Sequence, residues 1–222
     1  MDAVIFFDIR NFSSHRQFLA KTRGARPLTT LVQQLLEKAV SLSQSLVREF
    51  KLEELPLLNH TGDGFVIVLQ NGKSCLAALR FVSEFREFAE KKLARYQREF
   101  SKLQKEKEDD RKLPPSVYYG IGVHCGSVTS FKYQSFSTKR TAFLGSAINI
   151  ASRVEGCTKD HPYPVLCTET VLNHGRKDLG DSEHSNFESF FIPLGPHNLR
   201  GLEGPVTLVV CEPGFHRFLD SR

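Results

Sequence analysis

The sequence predicts a single α/β domain spanning 1–222, a mixed sheet covered by helices. Three observations carry this expectation. Strand-like and helix-like stretches alternate along the chain, Gly-rich turn signals join neighbouring strands, and no internal repeat or low-complexity linker divides the 222 residues. Hydrophobic residues make up 40% of the chain and charged residues 25%, enough apolar material for one sizeable core.

The elements follow in order. Residues 3–8 read as a buried strand, four apolar residues running into Asp8, with a short polar loop containing Phe12 behind it. Residues 26–50 repeat Leu, Val and Ala at helical spacing, with Pro27 near the start, and predict an amphipathic helix. Two apolar runs flank Gly62-Asp63-Gly64 and predict a hairpin. A long helix is expected from Ser74 to about Lys112. Leu76, Leu79, Val82, Phe85 and Phe88 form its apolar stripe, and about 86–112 reads as a charged extension whose end is solvated. After Pro114-Pro115 the chain predicts a strand over 116–128, then a strand and connecting loop over 130–145. A helix over 146–157 turns Ile148, Ala151 and Val154 inward. A strand with a short helix (162–174) and two strands around a Gly-rich turn (190–213) complete the chain.

Composition restricts the function classes. Thirty Lys and Arg against 25 Asp and Glu give a net charge of +5, which suits an anionic ligand but is too diffuse to indicate nucleic acid. The five cysteines form no CxxC pair and read as reduced core thiols of a cytoplasmic protein. The N-terminus enters a strand directly, without the pattern of a secretory signal, and no apolar run is long enough to cross a membrane.

Two carboxylates stand at similar places, Asp8 at a strand end and Asp63 at a hairpin tip. Each has a bland reading: a helix cap for Asp8, an Asp-Gly turn for Asp63. Together, on neighbouring strands, they could converge on Mg²⁺ or Mn²⁺, hard ions that take oxygen ligands and substrate phosphates.

At this point the chain resembles the class III nucleotide cyclases. Residues 6–13 (FFDIRNFS) are similar to the first metal motif of that family, and Thr61-Gly62-Asp63-Gly64 to its second metal site. Residues 143–153 (FLGSAINIASR) resemble its Asn/Arg helix, and Leu199-Arg200-Gly201 its terminal Leu-Lys-Gly motif, with Arg for Lys. The four motifs occur in family order over nearly the whole chain.

The resemblance implies a mainly antiparallel sheet and two divalent ions, Mn²⁺ or Mg²⁺, held by Asp8, Asp63 and the carbonyl of Ile9. It implies phosphate-binding backbone donors at Asn11, Phe12 and Ser13, a ribose-positioning Asn149, an Arg153 that stabilises transition-state charge, and an Arg200 that grips the terminal phosphates. It further implies a head-to-tail homodimer in which each site draws its aspartates from one subunit and its Asn and Arg from the other.

The departures lie where purine cyclases read the base. The two positions are Asn59 and Ala142, and Ala142 has no side-chain hydrogen-bonding group. Retained catalytic residues with altered base readers resemble the pyrimidine cyclases of bacterial antiphage (Pycsar) systems. That resemblance implies UTP, or less readily CTP, converted to a cyclic nucleotide that activates a separate effector. Asn59 could serve either base through its amide, and Phe50 or Phe143 could stack on it or belong to the core. An atypical adenylate cyclase and a non-catalytic nucleotide-binding module stand as alternatives.

Overall fold

The computed structural model describes residues 1–20, 26–52, 57–60, 62–105, 114–135, 138–179 and 184–221. Strand β1 (Asp2–Arg10) is followed by helices α1 (Phe12–Ala20) and α2 (Arg26–Glu49), strands β2 (Leu57–His60) and β3 (Phe65–Leu69), and the long helix α3 (Ser74–Lys105). Strands β4 (Tyr118–Gly126), β5 (Thr129–Ser135) and β6 (Thr138–Leu144) lead to helix α4 (Ser146–Cys157). Strand β7 (Val165–Thr168), helices α5 (Glu169–Leu179) and α6 (His184–Phe187), strands β8 (Phe191–His197) and β9 (Val206–Cys211), and helix α7 (Phe215–Asp220) complete the order.

Seven strands form one sheet in the order β2-β3-β1-β4-β7-β9-β8, while β5 and β6 pair as a separate hairpin. Only β4 and β7 run parallel, so the sheet is mixed and mainly antiparallel, as expected. The apolar run of β1 explains its central place, because a strand buried on both faces has no use for alternation. Ala3, Ile5, Phe7 and Ile9 enter the main core beneath α2, α3, α5 and α7. Aromatic rings fill that core: Phe7 stacks on Phe65 at 4.7 Å between centroids and meets Phe85 edge-on at 5.3 Å. The opposite face of β1 presents Val4, Phe6, Asp8 and Arg10, and α4 covers it together with Val68 and Val128.

Helix α4 sits unusually near the sheet because β4 offers glycine where it crosses. A Cβ at Gly122 would overlap the Ala151 carbonyl oxygen and the Glu155 nitrogen, and one at Gly120 would overlap the side chains of Glu155 and Thr158. The facing residues of the helix, Ala147, Ala151 and Val154, are fully buried or nearly so.

Several expectations are corrected. The polar stretch after Asp8 forms α1, with Leu19 and His15 inward; His15 is held between the Tyr96 hydroxyl at 3.0 Å and the Pro115 carbonyl at 2.8 Å. The supposed charged extension of α3 is core as far as Phe100, since Ala89, Leu93, Tyr96 and Phe100 recur at helical spacing and are buried; residues 106–112 lie outside the described residues. The strand and loop expected over 130–145 are a two-stranded hairpin. Cys75 on α3 and Cys125 on β4 form a disulfide, Cα atoms 6.3 Å apart, where the start of the helix passes over the strand; Cys157, Cys167 and Cys211 are free thiols. No helix among the described residues is long and apolar enough to cross a membrane.

The glycine contact gives a paired test. Gly122→Ala should destabilise the protein by about 3 kcal/mol or more, because backbone and not a flexible side chain must yield. Gly156→Ala, with open space around its Cβ on the same helix, should stabilise it by about 0.5 kcal/mol. Urea unfolding of both variants at one pH measures the difference.

Candidate functional site

Asp8 is the last apolar-run neighbour on β1 before the chain turns into α1. It points to the α4 face, with its side chain 28% exposed. Its electrostatics show what lies near. Burial raises the carboxyl above the ordinary aspartate value and the Asp63 carboxylate raises it further. The Arg10 guanidinium, Lys159 and the Ile9 backbone N–H pull it down without cancelling the rise. The hairpin therefore brings Asp63 to Asp8, as the β1–β3 register requires: Phe7 pairs with Phe65, so the tip lies beside the end of β1.

Two neighbouring carboxylates at the ends of interior strands fit hard divalent cations, which would relieve their mutual repulsion. No group of three or more His, Cys, Asp or Glu converges among the described residues. The Ile9 side chain is buried in the main core, leaving its main chain as the only group that could serve.

Asn11 adopts a left-handed conformation, φ 62°, which Asn tolerates better than most residues. Its side-chain amide donates to the Ser116 carbonyl at 2.8 Å, tying the turn to the segment that leads into β4. Phe12 and Ser13 open α1, so their amides lack intrahelical acceptors and point away from the helix. Backbone donors at these positions are free of intrahelical partners.

On α4, Asn149 is exposed and Arg153 half-buried, one turn apart on the same side. The Arg153 guanidinium lies against the Leu199–Leu202 turn: a Cβ on Gly201 would stand 3.3 Å from Arg153 Nη2. Gly201 takes φ 71°, so glycine serves both the turn and the close approach. Arg200 is exposed beside it. The fold accordingly brings together the third and fourth sequence motifs, as it does the first and second.

The expected base readers are less resolved. Asn59 pairs with Val66 across β2 and β3, but its side chain and the whole of Thr61 lie outside the described residues. Ala142 sits on β6 opposite Phe131, half-buried on the hairpin that leads into α4. Phe50 belongs to the main core and Phe143 packs with the cluster beneath α4.

Sequence reading missed Arg10, Glu155 and Thr158. Arg10 is 7% exposed and Glu155 5%; Arg10 Nη1 donates to Asp8 Oδ2 at 3.3 Å while Nη2 donates to the Glu155 carboxylate. The signal was available in part, since strand alternation places residues 8 and 10 on one face. Its partner, 145 residues away, was not.

The rise at Asp8 carries a stability consequence. A carboxyl whose native value lies above its unfolded one weakens the fold while ionised; that penalty fades as the pH falls through the raised native value and is gone below the ordinary aspartate value. Without divalent metal, Asp8→Asn should therefore melt higher than the wild type at pH 7. The gap should close as the pH approaches about 4; thermal unfolding across that range would contradict this if the gap widened in acid.

No protein-family model matches the sequence. A 60-residue segment is 37% identical to an adenylate cyclase from Anabaena cylindrica, covering 27% of this chain and only 12% of that protein. Among solved structures, the adenylyl cyclase CyaB from P. aeruginosa matches with a TM-score of 0.57 and 15% identity, over 96% of this chain and 94% of its own. The guanylate cyclase domain of RhGC from Catenaria anguillulae, solved with GTP, gives a TM-score of 0.61 at 14% identity over 96% and 97%. A guanylyl cyclase domain from Blastocladiella emersonii, described as a non-canonical dimer, gives 0.57 at 15% over 94% of each chain. At such identities the likeness is one of architecture: this chain has the fold of class III nucleotide cyclase domains.

Proposed function

We propose that this protein is a nucleotide cyclase that closes the ribose 3′ oxygen of a nucleoside triphosphate onto its α-phosphorus and releases pyrophosphate. The observation that carries the reading is the hairpin register that sets the Asp63 tip beside Asp8 at the end of β1, on a fold shared with adenylyl and guanylyl cyclases. Asp8 and Asp63, with the Ile9 carbonyl, would hold two divalent ions, Mn²⁺ or Mg²⁺. Bound there, such ions lower the pKa of the attacking hydroxyl and neutralise phosphate charge.

The chain's own groups have separable tasks. The amides that open α1 at Phe12 and Ser13, behind the Asn11 turn, receive phosphate oxygens. Arg200 forks onto the terminal phosphates, where a planar guanidinium grips two oxygens at once. Asn149 orients the ribose, and Arg153 meets the charge that grows on the transferring phosphate. The Gly201 contact holds Arg153 beside Arg200 and limits the freedom each loses in the transition state.

Asn149 and Arg153 lie on the outer side of α4, and apolar surface accompanies them: Leu144 is 64% exposed, and Phe131 and Tyr133 on the adjoining hairpin are 43% exposed. This supports a head-to-tail homodimer in which each composite site takes Asp8 and Asp63 from one subunit and Asn149 and Arg153 from its partner.

Ala142 is the basis for the base. A site with no side-chain donor or acceptor there leaves purine edges unread and loses discrimination for them. We read the substrate as UTP, with CTP second, and the product as a cyclic pyrimidine nucleotide that signals to a separate effector in antiphage defence. A second reading, an atypical adenylate cyclase, is favoured by the matched segment from Anabaena cylindrica.

Turnover with Mn²⁺ and each of ATP, GTP, CTP and UTP, with products separated by chromatography, decides between them. Predominant cUMP or cCMP is expected. Predominant cAMP would replace the pyrimidine reading with the second one, and binding without pyrophosphate release would remove catalysis.

Subunit mixing tests the shared site. Asp8→Ala and Arg153→Ala homodimers should each be inactive, whereas an equimolar mixture should recover about a quarter of wild-type turnover. Random pairing makes half the dimers mixed, and each mixed dimer has one intact site of two. No recovery after verified subunit exchange would rule out complementation.

A further inference from the structure

Arg10 occupies a position that the reaction scheme leaves without a task. Its guanidinium lies at the end of β1, beneath the C-terminal turn of α4 and the short 3-10 turn Thr158–Asp160 that follows. Nη1 donates to Asp8 Oδ2 at 3.3 Å. Nη2 donates to the Glu155 carboxylate, to the Glu155 carbonyl at 3.1 Å and to Thr158 Oγ1 at 3.3 Å. The Thr158 hydroxyl in turn donates to the same carbonyl at 2.7 Å. Gly120 makes room for this group, since a Cβ there would stand 3.0 Å from Nη2.

Stability alone explains the arrangement poorly. Two charges are buried, and Nε has no hydrogen-bond partner among the described residues. Apolar residues of similar volume often join two elements as well or better than a buried ion pair. The rest of the helix contact shows what such a pair adds. Ala147 and Ala151 meet glycines of β4, a close but smooth surface without ridges to fix the helix along its axis. The directional bonds of Arg10 supply that fixing at one end. Glu155 faces the sheet and Arg153, two residues earlier, faces the Leu199–Leu202 turn, so a shift of the first displaces the second.

We infer that Arg10 is a positioning residue: one nitrogen sets the Asp8 carboxylate and the other sets α4, so that in the proposed head-to-tail dimer each fork supports the aspartates of one composite site and the Asn149/Arg153 helix of the other. Its consequence for turnover rests on the cyclase reading above. Lys at this position would keep the charge but could not span Asp8 and Glu155 at once.

The test combines Arg10→Met/Glu155→Met with Arg10→Lys and Glu155→Gln. The double variant should unfold cooperatively near the wild-type midpoint, while amides of 146–157 exchange with solvent several-fold faster and those of β4 do not. With Mn²⁺ and the preferred triphosphate, kcat should fall roughly 100-fold, the scale of a small misplacement, with KM changed by less than about 3-fold. Arg10→Lys should fall similarly, whereas Glu155→Gln, which keeps the acceptor for Nη2, should retain most of kcat. Unchanged exchange across 146–157, or wild-type kcat in a folded double variant or in Arg10→Lys, would overturn the inference. Should the double variant not fold, exchange and kcat in Arg10→Lys decide. If the wild type turns over no triphosphate, the cyclase reading fails, while the exchange measurement still decides whether Arg10 fixes the helix.

Discussion

The approach of α4 to β4 at Gly120 and Gly122 is the constraint on which the rest of the arrangement depends. A helix usually packs on a sheet with a layer of side chains between them. Here the Cβ atoms are absent from the strand at the crossing, and the helix backbone rests almost on the strand backbone. The helix therefore reaches down to the level of the β1 side chains, which allows Glu155 to meet Arg10 beside Asp8. A thicker interface would have separated the two by the width of another layer.

The two faces of the sheet divide the work. The face beneath α2, α3, α5 and α7 holds the aromatic core, and most of the apolar burial lies there. The α4 face has only small clusters, with Asp8, Arg10 and Glu155 among them. Burial raises Glu155 to about 7 and raises Asp8, although Arg10 pulls both down. These carboxylates are held where ionisation is unfavourable, and the large core on the opposite face compensates. Carboxylates held in this way beside a sparse core are common at binding sites, which agrees with the role proposed for Asp8.

Much of this was legible in the sequence because it rests on local pattern. The β1 apolar run, the Gly-Asp-Gly tip and the 146–157 periodicity each carry their own signal, and the strand, hairpin and helix they predict are present. What escaped rests on distant partners. The polar letters after Asp8 look like a loop, yet His15 and Leu19 find Tyr96, Pro115 and the core from remote segments and make them a helix. The residues after Arg86 look increasingly charged, but Ala89, Leu93, Tyr96 and Phe100 among them share one buried face, and α1 supplies part of what they pack on. Gly120 and Gly122 read as ordinary strand glycines until the helix above them is known. Nothing in the sequence singles out Arg10 beyond its place on the same strand face as Asp8, and Glu155, its main partner, has no local cue.

On the proposed reading, the same contact lets altered base recognition coexist with retained reacting groups. The residues assigned to the reaction belong to elements at the centre of the fold: Asp8 to β1, held by Arg10, and Arg153 to α4, against the Gly201 turn. The positions assigned to the base lie further out, Asn59 on the edge strand β2 and Ala142 on a hairpin outside the main sheet. A substitution at either position leaves the contact between α4 and β4 untouched, whereas one at Gly122 or Glu155 does not. If the proposed roles hold, substrate choice can drift on this architecture while the geometry of the reaction stays fixed, because the two are built on separate parts of the fold.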